Sequence, residues 1–246
     1  MLYYYCNRFK DSNTIVMLPG DFVAPSTLSS LDGGVAMIDM MNRAGVQYVT
    51  YGNHEADIPH AELIKRIGES KFKWINSNMQ SIDLGPDLAK QPEFDVVTVK
   101  SADGSHERKV GIIGVNTADP GLYRPNSFNG CHIDPVLETA NKLQKMLHAE
   151  PYGCDTVVPM THQVQLSLSL PLSVCPQLTV PMTHQVMADD RAMAEVTTFP
   201  VFIGAHDHDP FNEVVDGTHV RSVFFFSFFS SSSPSSFSSS SLLLSF

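Results

Sequence analysis

Residues 46–57 read VQYVTYGNHEAD, a β-rich run that ends at a glycine followed by polar side chains. Two other apolar runs end in the same way. Residues 14–18 lead into Pro19-Gly20-Asp21, and residues 199–203 lead into Gly204-Ala205-His206-Asp207-His208. Short apolar runs that stop at glycine predict buried strands. Open α/β sheets place their ligands beyond the carboxyl ends of their strands, so we expect the three loops to lie close together.

The segments around these loops predict an α/β fold. Apolar residues at helical spacing predict helices over 35–44, 59–68 and 135–148, and a strand is expected over 72–75. Residues 96–100 and 109–115 flank the polar pair Asp103-Gly104 and predict a hairpin whose second strand is central. The turn signal Asp216-Gly217 predicts a second hairpin, over 213–221. Early helices and later hairpins together indicate a mixed sheet.

Composition narrows the function classes. A chain of 246 residues with 43% apolar content is suited to one domain with one sizeable core. Its formal charge of −10 argues against a nucleic acid partner, because phosphate backbones are bound by clustered Lys and Arg. The four cysteines show no CxxC spacing, and the first ten residues carry no apolar signal-peptide core. We therefore expect a reduced, cytoplasmic protein without a membrane span.

Two stretches depart from this pattern. Residues 223–246 consist almost entirely of Ser, Phe and Leu, and we interpret them as a disordered low-complexity tail outside a domain of residues 1–222. Within that domain, Val158–Val164 recurs as Val180–Val186. Only seven residues repeat, so a solenoid is excluded. The repeat instead predicts an insertion spanning residues 163–184.

The loop residues supply the ligand types of a dinuclear hydrolytic site. Such a site needs a bridging carboxylate, a neutral amide oxygen and several imidazoles, and the candidates are Asp21, Asn53, His162, His184, His206 and His208. Taken alone, each of these residues is better explained as an ordinary turn residue; their combination favours a metal site. The repeat makes His162 and His184 chemically equivalent, and the short connection to the helix-like segment 188–195 slightly favours His184.

Four motifs, in their order along the chain, resemble those of the calcineurin-like metallophosphoesterases. They are Gly20-Asp21, Gly52-Asn53-His54-Glu55, the Thr-His pair at 161/162 or 183/184, and Gly204–His208. The longer stretches 20–26 and 52–57 are most similar to the 5′-nucleotidase branch. The resemblance implies a mixed β-sandwich flanked by helices (αββα). It also implies hydrolysis of a small phosphate ester, such as a nucleotide, by metal-activated water.

The same resemblance implies roles for individual residues. Asp21 would bridge two metals, with Asn53, His206 and the Thr-His histidine completing one coordination sphere and His208 belonging to the other. His54 would act on the substrate, oriented by Asp57 as a His–Asp dyad. Oxygen and nitrogen ligands without thiolate suit Mn, Zn, Fe or Co.

One motif of the family has no match in the sequence. Family members open with Asp-x-His ahead of the Gly-Asp loop, whereas no histidine precedes His54 here. We therefore expect a fold lacking its first strand and a second metal with few ligands. Two hypotheses follow: a 5′-nucleotidase-like phosphoesterase, or a catalytically impaired fragment or pseudoenzyme with one residual metal site.

Overall fold

The computed structural model describes residues 14–101 and 104–162, together with the strand backbone of residues 182–185, 201–206, 212–215 and 218–222. The described α-helices are α1 (Thr27–Asp32), α2 (Val35–Ala44), α3 (His60–Glu69) and α4 (Val136–His148), and short 3-10 helices cover His54–Asp57, Pro120–Leu122 and Ser127–Gly130. The strands are β1 (Met17–Leu18), β2 (Tyr48–Val49), β3 (Lys73–Trp74), β4 (Phe94–Lys100), β5 (Glu107–Asn116), β6 (Thr156–His162), β7 (Met182–Gln185), β8 (Val201–His206), β9 (Asn212–Val215) and β10 (Thr218–Ser222).

The strands form two sheets. The smaller is parallel, in the order β1-β2-β3. The larger has the order β4-β5-β6-β7-β8-β10-β9, with parallel pairing from β5 to β10 and antiparallel pairing of β4 and β9 at its two edges. The carboxyl ends of β1 and β2 lead directly into the Gly20 and Gly52 loops, and β6 ends at His162. The predicted placement of these loops at strand ends is confirmed.

Alternation along β1 shows how the layers stack. Successive side chains of a strand point to opposite faces. Val16 and Leu18 pack with the helix residues Ile38 and Met41, whereas Ile15 and Met17 pack against the larger sheet through Ile112, Val158 and Met160. Helix α4 packs on the other face of the larger sheet, where its Leu143 and Leu147 contact Ile113 of β5 and Val157 of β6. The order of layers is helix, sheet, sheet, helix, so the predicted αββα fold class is confirmed.

Most of the helices and strands predicted from local sequence patterns are present in the structure. The predicted helix over 35–44 coincides with α2, which ends where Gly45 takes a left-handed φ of 77°. Both predicted hairpins are present, as β4–β5 and β9–β10. Helix α1 was not predicted; it is short, and its capping box joins Ser26 and Ser29.

Several sequence predictions lie outside the described residues. They concern the helix-like segment 188–195, most of the insertion 163–184, His208 and the tail 223–246. Among the described helices, none is long and apolar enough to cross a lipid bilayer. Cys131 and Cys154 are free thiols.

Candidate metal centre

The loops after β1 and β2 touch backbone to backbone. Gly20 has a φ of +83° and Asp21 a φ of +55°, both in the left-handed region that favours glycine. A Cβ atom added to Gly20 would collide with the backbone of Gly52, and one added to Gly52 would collide with Asp21. Both glycines are therefore required for the close approach that brings Asp21 next to Asn53.

A buried carboxylate joins the two loops. Glu55 is fully buried, and its Oε2 accepts hydrogen bonds from the backbone N–H groups of Asp21 (2.8 Å) and Gly52 (2.6 Å). Its Oε1 accepts from the N–H groups of Phe22 (2.8 Å) and Val23 (3.0 Å). Burial and the nearby Asp21 carboxylate raise the pKa of Glu55, while the backbone donors act in the opposite direction. All four donors need an acceptor, which the ionised carboxylate provides.

No role for Glu55 was predicted from the sequence. The available signal was its position in the Gly-Asn-His-Glu loop, where a residue with two acceptor oxygens follows the proposed ligand. Its partners in the Gly20 loop lie more than 30 positions away along the chain, with Glu55 and Asp21 separated by 34. That separation hid the contact from local pattern analysis.

The candidate ligands Asp21, Asn53 and His162 meet at one point. The imidazole of His162 is fully buried, and its Nε2 atom lies 3.0 Å from Asn53 Oδ1 and 3.1 Å from Asp21 Oδ2. Its Nδ1 atom lies 2.8 Å from the backbone oxygen of Pro19. Because a carbonyl oxygen only accepts, Nδ1 carries a proton and Nε2 is the atom available to a ligand.

The electrostatics of this cluster favour a positive charge at its centre. Burial disfavours the charged imidazole, but the Asp21 carboxylate outweighs that effect and raises the pKa of His162. Burial likewise opposes ionisation of Asp21, and the imidazole lowers the pKa of Asp21 despite it. His162 Nε2 therefore faces two oxygen atoms, those of Asn53 and Asp21. A divalent cation could bind between these three atoms, since carboxylate oxygen, amide oxygen and imidazole nitrogen are all ligands of such ions.

The histidine predicted to act on substrate lies beside this cluster. The backbone N–H of His54 donates to Asp21 Oδ1 at 2.9 Å, and its Nδ1 lies 2.7 Å from Asp57 Oδ2. The His54 side chain is 41% exposed, so its Nε2 edge is accessible from solvent. Arg124, not anticipated from the sequence, places Nε 3.4 Å from the other Asp57 oxygen. A cavity of about 380 Å³ borders Asp57, Arg124 and Phe128.

The remaining predicted ligands are only partly described. His184 is the third residue of β7 and His206 the last residue of β8, while their side chains and all of His208 lie outside the described part. Within the described residues, no group of three or more His, Cys, Asp or Glu side chains is placed to hold a metal; the cluster combines Asp21 and His162 with an amide. The contacts described belong to His162, the copy that the sequence slightly disfavoured.

Comparison with known proteins finds partial sequence similarity to two nucleotide-processing enzymes. No protein-family profile matches it. It is 30% identical over 155 residues to NAD 5′-nucleotidase of Haemophilus influenzae, covering 63% of this chain and 24% of that protein. It is 25% identical over 166 residues to a 2′,3′-cyclic-nucleotide 2′-phosphodiesterase/3′-nucleotidase of Yersinia enterocolitica, covering 63% and 25%. The chain thus spans about a quarter of the length of these relatives.

Solved structures agree on the fold. A 5′-nucleotidase precursor from Thermus thermophilus superposes with a TM-score of 0.61 at 20% identity, covering 91% of this chain and 41% of that one. A calcineurin-like phosphoesterase from Bacillus subtilis gives 0.63 at 17% identity, covering 91% and 72%. The chain therefore shares the fold of these two structures, and over part of its length its sequence is similar to that of a 5′-nucleotidase.

Proposed function

We propose that this chain carries the catalytic site of a metal-dependent phosphoester hydrolase of the 5′-nucleotidase type. The observation that supports the proposal best is the convergence of Asp21, Asn53 and His162. These residues come from three separate strand ends, and Asn53 Oδ1 and Asp21 Oδ2 lie 3.0 Å and 3.1 Å from His162 Nε2. A buried cluster of acceptors is costly unless a cation or proton neutralises it.

In this proposal Asp21, Asn53 and His162 hold a divalent ion of Mn, Zn, Fe or Co. His206 and His208 are the remaining candidate ligands, and His162 is preferred to its copy His184 because its ring makes the described contacts. When bound, such an ion lowers the pKa of a coordinated water and stabilises negative charge on a phosphoryl group.

The chain's own residues position the reaction. His54 is held at two points, by its backbone N–H on Asp21 and by its ring on Asp57. Asp57 can only accept, so it keeps the proton on Nδ1 and turns Nε2 outward, where it can donate to or accept from a substrate oxygen. Glu55 fixes the backbone that carries Asp21. These groups define one acid–base position beside one metal position.

The substrate class is inferred from the relatives. Both matched proteins are named for nucleotide phosphoesters, which supports a nucleotide as substrate. A chain of net charge −10 binds such an anion more readily through a bound cation than through its own surface.

A second candidate is a metal-binding domain with impaired catalysis. The described residues form one cluster of three donors, which corresponds to one metal position rather than two. One ion alone lacks the paired clamp on attacking and leaving oxygens that two-metal sites provide.

Phosphate release and metal binding separate the candidates. Purified chain is titrated with Mn²⁺ by calorimetry, and phosphate release is measured from a 5′-mononucleotide and from p-nitrophenyl phosphate. If the chain is an enzyme, it should bind Mn²⁺ and release phosphate. Asp21→Asn should then lose both Mn²⁺ binding and turnover, whereas His54→Gln should lose turnover and keep Mn²⁺ binding. Binding without turnover supports the impaired domain. Absence of binding to the parent chain overturns both. Asp95→Asn, remote from the cluster, is the control for general destabilisation.

A further inference from the structure

The repeated sequence occupies two neighbouring strands of the larger sheet. β6 contains most of the first copy and β7 contains part of the second. They pair in parallel with Met160 opposite Met182. These two methionines hold the same position in the two copies, since the repeat is offset by 22 residues. Equivalent residues of the two copies therefore lie side by side at this position.

The pairing of β7 with β8 continues the same register. Met182 lies opposite Ile203, and His184 lies opposite Ala205. Removal of residues 163–184 would leave one copy of VPMTHQV and join His162 to Gln185. Met160 would then face Ile203 directly, in the register that Met182 has now. The sheet would close without any slip of β8.

The second strand also affects the candidate metal centre. Neighbouring strands lie about 4.8 Å apart, so β8 is about 9.6 Å from β6 while β7 lies between them. His206 is the last residue of β8, and His162 is the last residue of β6. Without β7, the backbone positions of these two histidines would be one strand spacing apart. Adjacent strand ends at that spacing are close enough to supply ligands to one ion.

We infer that β7 is a supernumerary strand that holds His206 away from the Asp21–Asn53–His162 cluster and thereby weakens metal binding. The inference rests on the proposed function, because it takes that cluster as a metal position. It follows that the 22-residue insertion (163–184) is an addition to a sheet that is complete without it, and that its removal tightens the site.

The test compares the full chain with a variant lacking residues 163–184. Thermal unfolding reports whether the narrower sheet folds, and calorimetric titration with Mn²⁺ reports affinity. We expect one cooperative transition at or above the parent melting temperature and a Kd for Mn²⁺ at least tenfold lower, since losses even in the outer shell of a metal site change affinity by about 10–100-fold. A variant that does not fold shows that β7 belongs to the core. An unchanged Kd shows that it does not separate the ligands. Either result overturns the inference.

The repeat itself provides a matched pair of variants in the full chain. His162→Gln and His184→Gln change the same residue in the same local sequence, PMTHQV. We expect His162→Gln to weaken Mn²⁺ binding at least tenfold and His184→Gln to weaken it less than threefold. The reverse order would make β7 the metal-binding strand and contradict the inference. Failure of the full chain to bind Mn²⁺ at all would instead refute the proposed function, so the two failures are distinguishable.

Discussion

The substitution Glu55→Gln removes the group that joins the Gly20 and Gly52 loops of the proposed metal site. Each Glu55 oxygen accepts two backbone N–H groups, those of Asp21 and Gly52 on one and those of Phe22 and Val23 on the other. Glutamine has the same shape but only one oxygen. In either orientation of the amide, its NH₂ group faces two N–H donors, which lose their acceptor.

The expected cost follows from those two donors. A buried donor without a partner costs about 1–3 kcal/mol, so the substitution should lower the free energy of unfolding by about 2–6 kcal/mol. For a chain of this size, 1 kcal/mol corresponds to roughly 2–4 °C, which gives a fall in melting temperature of at least about 4 °C. Mn²⁺ affinity, measured well below that temperature, should fall as well because Asp21 is no longer held.

Two variants make the measurement specific. Glu55→Asp retains both oxygens on a shorter side chain and should recover part of the lost Mn²⁺ affinity. Glu62→Gln removes a carboxylate on α3 whose partner is the exposed Lys65, and an exposed pair of this kind contributes about 0–1 kcal/mol. If Glu55→Gln melts within about 1 °C of the parent, well short of the expected fall, and binds Mn²⁺ equally well, the four hydrogen bonds do not organise the site and the reasoning fails.

Three further substitutions or additions test other parts of the structure. In chemical denaturation, Gly20→Ala should lower the free energy of unfolding far more than Gly85→Ala does. Both glycines have a positive φ, but only at Gly20 would a new Cβ atom collide with backbone atoms. Equal losses of stability would argue against the close packing of the Gly20 turn. Burial opposes ionisation of Asp95, but hydrogen bonds from a lysine and a tyrosine outweigh it and hold the pKa of Asp95 below its usual 3.8. The ionised carboxylate therefore stabilises the fold above about pH 4, and this contribution is lost as pH falls through the pKa of the folded state. Asp95→Asn should make the free energy of unfolding fall less steeply with decreasing pH, and an unchanged slope would contradict this. Mn²⁺ at about 100 times its Kd should stabilise the parent by about 2.7 kcal/mol against chelator-treated protein in a thermal melt, and an equal shift in Asp21→Asn would place the ion elsewhere.

The sequence predicted those parts of the fold that depend on local signals. The helix over 35–44 has apolar residues at helical spacing and a terminal Gly45, and both features act within a few residues. The Gly20 and Gly52 loops were recognised because an apolar run stops at a glycine. These patterns fix an element's type and its end, and through the strand ends they fix where Asp21 and Asn53 lie.

Contacts between distant segments could not be predicted in this way. The ring of His162 is oriented by Pro19, 143 positions away, and nothing near His162 in the sequence indicates that partner. The two copies of the repeat are identical, so local reasoning could choose between His162 and His184 only by loop length. Glu55 was hidden for the same reason, because its carboxylate serves the backbone of another loop.

The charge of the chain and the chemistry of the site are consistent with each other. Asp21, Glu55 and Asp57 bring three carboxyl groups to adjacent loops, where His162 lies beside Asp21 and both His54 and Arg124 lie beside Asp57. Four backbone N–H donors satisfy Glu55, and Arg124 and His54 satisfy Asp57, which leaves Asp21 as the carboxylate best placed to bind a cation. A phosphate ester approaching a protein of net charge −10 meets repulsion unless a cation occupies that position. The divalent ion therefore has two functions in the proposed enzyme: it completes the folded loops and it reverses the local charge for an anionic substrate.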